Sequence, residues 1–181
     1  SYVALWRGDE ARYAEVTTRI AWRTPWMRGR HRLRQLFAGL GNSASSGTTG
    51  LSEALRTLSR KEGQSRIAVL ISDLLDASWE EALAALGRFS GSPVLVHVLA
   101  PEDWAPQDRG ALELIGTETG ERHAVRLDDE AAHVYTGIAR EWMRGVRERC
   151  SRLGIACYQL DTSYPLEELL LTSFREGGVL R

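Results

Sequence analysis

The sequence predicts an open α/β fold with a mostly parallel sheet flanked by helices. Two continuous apolar runs carry this prediction, RIAVLIS at 66–72 and PVLVHVL at 93–99. Each run is too short for most helices and is rich in β-branched residues, which is typical of a strand covered by helices on both faces. An amphipathic helical segment separates the two runs. Buried strands that alternate with helices in this way favour an α/β layer structure.

The N-terminal part is predicted to form a β-hairpin followed by a helix. Residues Tyr2–Trp6 have the pattern of a strand, and ARYAEVTTRIAW at 11–22 partly alternates as a second strand would. We expect the turn between them at residues 8–9. A helix is predicted over His31–Leu40, where apolar residues recur at spacings of three and four, and Gly41 ends it.

The rest of the chain predicts further helices and strands in alternation. One helix begins at Gly50 and another at Ser78, whose spacing to Glu81 matches a capping box. A β-hairpin is expected around Thr119-Gly120, at an edge of the sheet. The remaining predicted elements are a long helix capped by Asp128 or Asp129 and stopped by Gly154, a strand over IACYQL at 155–160, and a short helix from Leu166.

Composition and charge exclude several classes of protein. The 181 residues are 43% hydrophobic and 26% charged with a net charge of -1, so the chain has no global field that attracts nucleic acid. No apolar run approaches the roughly 20 residues that span a bilayer, and residues 1–20 lack the zones of a signal peptide. We therefore expect a cytoplasmic protein with no membrane segment, in which Cys150 and Cys157 are reduced thiols.

A candidate metal site lies where the first predicted parallel strand ends. Asp73 follows that strand, and Thr48 and Thr49 stand just before a predicted helix N-terminus. Ligands bind at the carboxyl ends of parallel strands in open α/β folds, and a right-handed connection returns the helix to the same sheet. A carboxylate and hydroxyls are hard oxygen ligands of the type that Mg²⁺ accepts. The alternative interpretation is that Thr49 only caps the helix and Asp73 only caps the next turn.

Other patterns point to chemistry less strongly. The stretch WRTPWMRGRHRLR at 22–34 interleaves tryptophan with arginine, a composition that suits single-stranded nucleic acid, an acidic protein partner or a solvated helix face. With no net positive charge, no nucleic acid partner is expected. His97 lies inside an apolar strand and is interpreted as a satisfied core histidine. No nucleophile motif, phosphate loop or zinc spacing is present in the sequence, so an enzyme is not favoured.

Six blocks of the sequence resemble a bacterial family catalogued as domain of unknown function 58, whose members contain a von Willebrand factor A-like domain. The blocks fall in the family's order and cover nearly the whole chain: RHRLRQLFAGL, GTTGLSEAL, IAVLISDLLD, VLVHVLAPEDW, LELIGTETGE and YQLDTSYPLEELL. The resemblance implies a Rossmann-like, von Willebrand A-type sheet over residues 1–181 as a single domain. The first central strand and its helix are missing from this chain, which begins at Ser1, so we expect the natural start to lie upstream.

The resemblance also implies a metal-ion-dependent adhesion site. In such a site Thr49, with Thr48 as its substitute, and Asp73 would hold Mg²⁺ or Mn²⁺, while the loop that follows the missing strand would supply further ligands. Asp161 and Ser163 repeat the Asp-x-Ser spacing of that loop, which we interpret as coincidence. Candidate contacts to a partner protein are Asp76 at the same edge and, in the basic stretch, Arg28 and Arg30.

The function expected from the resemblance is that of a non-enzymatic protein-interaction module. Family members travel with AAA+ ATPases of the MoxR type, which implies an adaptor that works with such an ATPase in assembling or maturing a protein complex. The alternative is a metal-dependent hydrolase or phosphotransferase that uses Asp73, and with it Asp76, at the sheet edge.

Overall fold

The structure is a computed structural model that describes residues 2–17, 19–41, 50–61, 67–116, 120–163 and 165. The helix predicted from Leu166 lies outside these residues, as do Thr48 and Thr49. The helices are α1 (Tyr2–Trp6), α2 (Leu33–Gly41), α3 (Leu51–Lys61), α4 (Trp79–Leu86), α5 (Pro101–Trp104) and α6 (Asp129–Arg152), with a 3₁₀ turn at Arg30–Arg32 before α2. The strands are β1 (Glu10–Ala11), β2 (Ala14–Val16), β3 (Ile20–Trp22), β4 (Met27–Arg28), β5 (Ile67–Ser72), β6 (Ser92–Leu99), β7 (Gly110–Ile115), β8 (Arg122–Leu127) and β9 (Ala156–Asp161).

The two apolar runs form neighbouring parallel strands, as the sequence predicts. The described part of the main sheet has the order β5-β6-β9, with every pair parallel. Leu95 of the central strand lies between Leu70 on one side and Cys157 on the other. Because parallel neighbours need crossover connections, α4 and α6 lie between the strands along the chain. The predicted mixed α/β class with a parallel sheet is therefore confirmed.

Helices α3, α4 and α6 cover one face of this sheet. Their apolar residues join Leu70 and Leu95 in one core cluster, whose helical members are Leu51, Leu55, Ala82, Leu83, Ala85, Leu86, Val146 and Cys150. The opposite face of β5 is exposed at Ile67, Val69 and Ile71. The prediction that helices cover this strand on both faces is therefore wrong, because a continuous apolar run shows no period that separates a covered face from an open one.

The N-terminal segment departs from its predicted hairpin. Tyr2–Trp6 is the helix α1 and not a strand, with local bonds such as Asp9 N–H to the Ala4 carbonyl at 2.8 Å. Within 11–22, predicted as one strand, β2 pairs with β3 in antiparallel register. The bond from Thr17 N–H to the Arg19 carbonyl (3.0 Å) closes that turn. Short segments with weak alternation adopt local hydrogen bonds when no long partner strand lies beside them.

Several predictions for the later elements are confirmed. Strands β7 and β8 form the expected antiparallel hairpin, although it is a separate two-stranded sheet and not an edge of the parallel one. Asp128 caps α6 by accepting the Ala131 N–H at 2.9 Å, and Gly154 follows the helix with a φ of 69°. The capping box at Ser78 is wrong, since its side chain accepts no bond from α4. Within the described ranges every helix is too short or too polar to cross a membrane.

Candidate functional site at the carboxyl end of the parallel sheet

The candidate site is built on the loop that follows β5. The loop starts with two hydrogen bonds in which a side-chain oxygen accepts a backbone N–H. Ser72 Oγ accepts the Leu74 N–H at 3.1 Å, and Asp73 Oδ1 accepts the Leu75 N–H at 3.2 Å. These bonds turn the chain sharply away from the sheet. Asp73 therefore caps the turn, as the alternative interpretation of the sequence expects. Its side chain nevertheless remains exposed at the surface.

Leu74 holds this loop in an uncommon backbone conformation. Its φ is 55°, in the left-handed region that side chains other than glycine rarely adopt, while only 1% of the residue is exposed. A left-handed leucine costs about 1–2 kcal/mol. Burial of its side chain in the core cluster offsets that strain. The core therefore fixes the direction in which Asp73 points.

Two substitutions at Leu74 separate burial from strain. Leu74→Ala should lower the free energy of unfolding by about 2–4 kcal/mol because the core loses the side chain while the strain remains. Leu74→Gly loses the same packing but accepts a positive φ without strain, so it should be at least as stable as the alanine variant. Urea unfolding measures both. A glycine variant less stable than the alanine variant by about 1 kcal/mol, as at an ordinary buried position, would contradict the assigned strain.

His97 supports the loop through a hydrogen bond to the loop backbone. It is fully buried in β6, and its Nε2–H donates to the backbone carbonyl of Asp73 at 2.9 Å. Burial lowers the pKa of His97 because it disfavours the charged imidazolium, although the carbonyl of Asp73 works in the opposite direction. His97 is therefore a neutral imidazole with its proton on Nε2. The prediction of a satisfied core histidine is confirmed.

Side chains of α6 and β9 hold the other side of the imidazole. The Gln159 side-chain NH₂ lies 3.4 Å from His97 Nδ1 and also donates to the Met143 carbonyl at 2.8 Å. Arg147 donates to the oxygen of the same amide. The ring of Trp142 meets the imidazole edge-on, with centroids 5.1 Å apart. A connected polar chain thus links α6 to the loop that carries Asp73.

The remaining carboxylates at this edge also hold turns. Asp76 Oδ1 accepts both the N–H of Ser78 at 2.6 Å and its hydroxyl at 2.7 Å, which fixes the start of α4. Asp161 Oδ1 accepts the Ser163 N–H at 2.8 Å, and the Ser163 hydroxyl lowers the pKa of that carboxyl. Asp103 Oδ2 accepts the Ala100 N–H at 2.8 Å after β6. An aspartate therefore accepts a backbone N–H at the carboxyl end of each of the three parallel strands, in a turn at Asp73 and Asp161 and in a helix cap at Asp103.

Residues 1–143 match the family described as "Protein of unknown function DUF58". The chain belongs to this family. No curated protein matches it significantly. Among solved structures it is similar to the conserved hypothetical protein BatB from Bacteroides thetaiotaomicron, with 14% identity and a TM-score of 0.45 over 96% of this chain and 81% of that one.

The structure of this DUF58 protein describes one of the three predicted metal ligands. That ligand is Asp73, while Thr48 and Thr49 fall outside the described residues. Among the residues that are described, no three His, Cys, Asp or Glu side chains lie close enough to share a metal ion. Asp73, Asp76, Asp103 and Asp161 each accept a backbone N–H group. These four aspartates therefore hold local backbone structure, and the side chain of Asp73 is exposed as well.

The predicted partner contacts Arg28 and Arg30 lie together near α1, away from the loop of Asp73 in the chain. Arg28 Nε donates to the Gly8 carbonyl at 2.9 Å, and the guanidinium of Arg30 lies 5.8 Å from the centre of the Trp6 ring. Both residues are exposed. The described structure shows no contact that joins them to Asp76. Arg28 and Arg30 therefore contact the α1 region, and Asp76 holds the start of α4.

Sequence reasoning missed the residues that position the site. Leu74, Gln159 and Arg147 carry no local motif, and their roles arise from strand register and from the pairing of β6 with β9. Reasoning also missed Arg12, whose guanidinium lies over the rings of Trp22 (3.2 Å) and Trp26 (4.4 Å). One signal was available, the serine–aspartate pair directly after an apolar strand, which marks a tight turn.

Proposed function

We propose that this DUF58 protein is a non-enzymatic protein-interaction module whose partner contacts the carboxyl edge of the parallel sheet at Asp73. One observation carries the proposal: a surface carboxylate stands on a loop that is held rigidly by buried groups, Leu74 in the core and His97 beneath the backbone. A fixed carboxylate presents the same geometry to every partner molecule. Preorganisation of this kind lowers the entropy cost of binding.

The finer form of the proposal is a von Willebrand A-like domain with a metal-ion-dependent adhesion site. Asp73, together with Thr49 or Thr48, would hold Mg²⁺ or Mn²⁺, and a carboxylate of the partner would complete the shell. The support is chemical, since carboxylate and hydroxyl oxygens suit these cations, and it rests on the ordered sequence blocks quoted above. When bound, the ion would supply a positive charge that attracts the partner's carboxylate.

The partner that we propose is an AAA+ ATPase of the MoxR type, in the cytoplasm. The protein would act as an adaptor while the ATPase assembles or matures another protein complex. Support for this role comes from the sequence resemblance alone. The exposed Arg28 and Arg30 are proposed as a second contact for an acidic region of the same assembly.

The hydrolase or phosphotransferase alternative has weaker support. It needs a second carboxylate or a base beside Asp73. Asp76 accepts two bonds from Ser78 through one oxygen and so holds the start of α4. The imidazole of His97 is buried and directs its proton to a backbone carbonyl. A side chain used in this way holds the loop and does not exchange protons with a substrate.

The test replaces Asp73 with Asn, which keeps the size and the turn-forming oxygen but removes the charge. Binding to the MoxR-type ATPase of the same organism is measured by biolayer interferometry in Mg²⁺ and in EDTA. We expect the wild type to bind in Mg²⁺ only, and Asp73→Asn to bind at least about tenfold more weakly, which corresponds to about 1.4 kcal/mol.

Asp161→Asn is the matched control, because Asp161 forms the equivalent turn after β9. It should bind as the wild type does. Wild-type affinity in Asp73→Asn would overturn the role of Asp73, and equal losses in both variants would assign the effect to the charge of the edge as a whole. Hydrolysis of p-nitrophenyl phosphate that disappears in Asp73→Asn would favour the enzymatic alternative instead.

A further inference from the structure

Two free thiols meet where the last turn of α6 packs on β9. Cys150 lies in that turn and is fully buried, and Cys157 is the second residue of β9. Cys157 pairs with Leu95, whose side chain belongs to the same core cluster as Cys150. Paired residues of neighbouring strands point to the same face of a sheet. Both thiols therefore lie on the face that the helices cover, where Cys157 packs against the cluster.

A tight turn holds the two cysteines against each other. The Cys150 carbonyl accepts the Leu153 N–H at 3.1 Å and the Ile155 N–H at 2.9 Å. Gly154 between them has a φ of 69°, which reverses the chain and directs β9 back along the end of the helix. The Cys150 thiol donates a hydrogen bond to the Cys157 sulfur. Sulfur atoms in such contact need only a short movement to form a covalent bond.

The surroundings of the two thiols make them chemically different. The hydrogen bond from Cys150 lowers the pKa of Cys157, and the positive charge of Arg147, three residues before Cys150 on α6, lowers it further. The same hydrogen bond and burial raise the pKa of Cys150. Cys157 is also only partly buried, whereas Cys150 is fully buried. Because the thiolate is the reactive form of cysteine, Cys157 is the thiol that an oxidant attacks first.

We propose that Cys157 is a peroxide-sensitive modification site and that Cys150 closes a reversible disulfide with it. The Cys157 thiolate attacks one oxygen of hydrogen peroxide, the O–O bond breaks, hydroxide leaves and the sulfur becomes a sulfenic acid. The Cys150 sulfur then attacks the sulfenic sulfur, the S–O bond breaks, and the thiol proton leaves with the hydroxide as water. The two sulfurs together lose two electrons, and the peroxide is reduced to water.

The disulfide would join the end of α6 covalently to β9. It restricts the unfolded chain over residues 150–157, and a crosslink of this kind stabilises the folded state. For a short loop we expect the Tm to rise by about 5–10 °C. In a reducing compartment such a bridge forms only transiently, which is the behaviour of a redox-sensing pair.

The experiment treats the reduced whole protein with hydrogen peroxide and follows it by mass spectrometry. The oxidised chain should be lighter by two hydrogen atoms, should no longer react with iodoacetamide and should regain both thiols in dithiothreitol. Trypsin cleaves at Arg152, between the two cysteines, so the bridge joins the peptides 150–152 and 153–175. The chain has two cysteines in all, which makes this assignment unambiguous. Thermal unfolding of the reduced and the oxidised protein measures the Tm.

Two variants test the order of the steps. Cys150→Ala lacks the second thiol, so Cys157 should stop at the sulfenic acid, which dimedone labels. Cys157→Ser should keep Cys150 reduced, because that thiol is buried and its pKa is raised. Wild-type protein without the joined peptides, bridges formed only between molecules, or a Tm that does not rise on oxidation would overturn the proposal. So would dimedone labelling in Cys157→Ser that equals the labelling in Cys150→Ala.

Discussion

Replacing Leu95 with Ala should lower the free energy of unfolding by about 3–5 kcal/mol. Leu95 lies in the central strand of the described sheet, is fully buried and packs in the cluster that α3, α4 and α6 share. Truncation removes the transfer free energy of the side chain and leaves a cavity that strands on both sides prevent from closing. Urea denaturation, with the midpoint and the m-value determined separately, measures the change.

Leu114→Ala is the control for this prediction. Leu114 is also in a strand, β7, but it is exposed, so the same substitution should change stability by less than about 0.5 kcal/mol. If Leu95→Ala cost no more than Leu114→Ala, the parallel sheet would not be the stabilising core of the protein. The comparison therefore tests whether the buried centre of the parallel sheet stabilises the protein more than an exposed position in the β7-β8 hairpin does.

The second large effect is expected from His97→Phe. Phenylalanine keeps the edge contact with Trp142 but removes both nitrogen atoms, so the Asp73 carbonyl and the Gln159 amide lose a partner. An unsatisfied polar group costs about 1–3 kcal/mol. We expect a loss of that size at neutral pH, measured by urea denaturation. If Asp73 presents a carboxylate to the partner, partner binding should weaken as well, because the loop loses its support.

His97 also predicts a pH dependence of stability. Burial lowers the pKa of His97 in the folded protein below its ordinary value of about 6.5. Below that pH the unfolded chain takes up a proton that the folded chain does not, so stability decreases as the pH falls, by up to about 1.4 kcal/mol per pH unit. Above that pH the effect vanishes. Unfolding between about pH 7.5 and pH 5.5 measures the slope.

The His97→Phe variant should lose this part of the slope, since phenylalanine does not titrate. His133→Phe should keep it, because His133 is exposed. A wild type with equal stability at both ends of the pH range would show that His97 is not held neutral by the fold. A slope that remains in His97→Phe would assign the effect to other groups.

The sequence-based predictions that are confirmed come from patterns that extend over several consecutive residues. The apolar runs at 67–72 and 92–99 and the 24-residue helix α6 repeat one signal over many residues, so local irregularities do not hide it. Capping by Asp128 depends on a single side chain at a helix start, which the sequence displays directly. The prediction for the N-terminal segment was wrong because the short apolar stretches of that segment fit a helix and a strand equally well.

The candidate site was predictable at one residue. Asp73 follows a strand whose end is readable from the sequence, and carboxyl ends of parallel strands meet at one edge. The residues that hold it were not predictable. Gln159 is 62 positions from His97, and they meet because β9 pairs with β6. The left-handed conformation of Leu74 follows from the packing of its side chain, which no local pattern reports.

By itself the sequence determined the α/β class, the parallel order of buried strands with helices between them, and the position of an aspartate at the end of one strand. The tertiary structure decided which face of β5 is covered and how Leu74 and His97 fix the Asp73 loop. The physical reason is that periodicity and capping act between neighbours in the chain. Burial and strand register depend on contacts between residues that are far apart in the sequence.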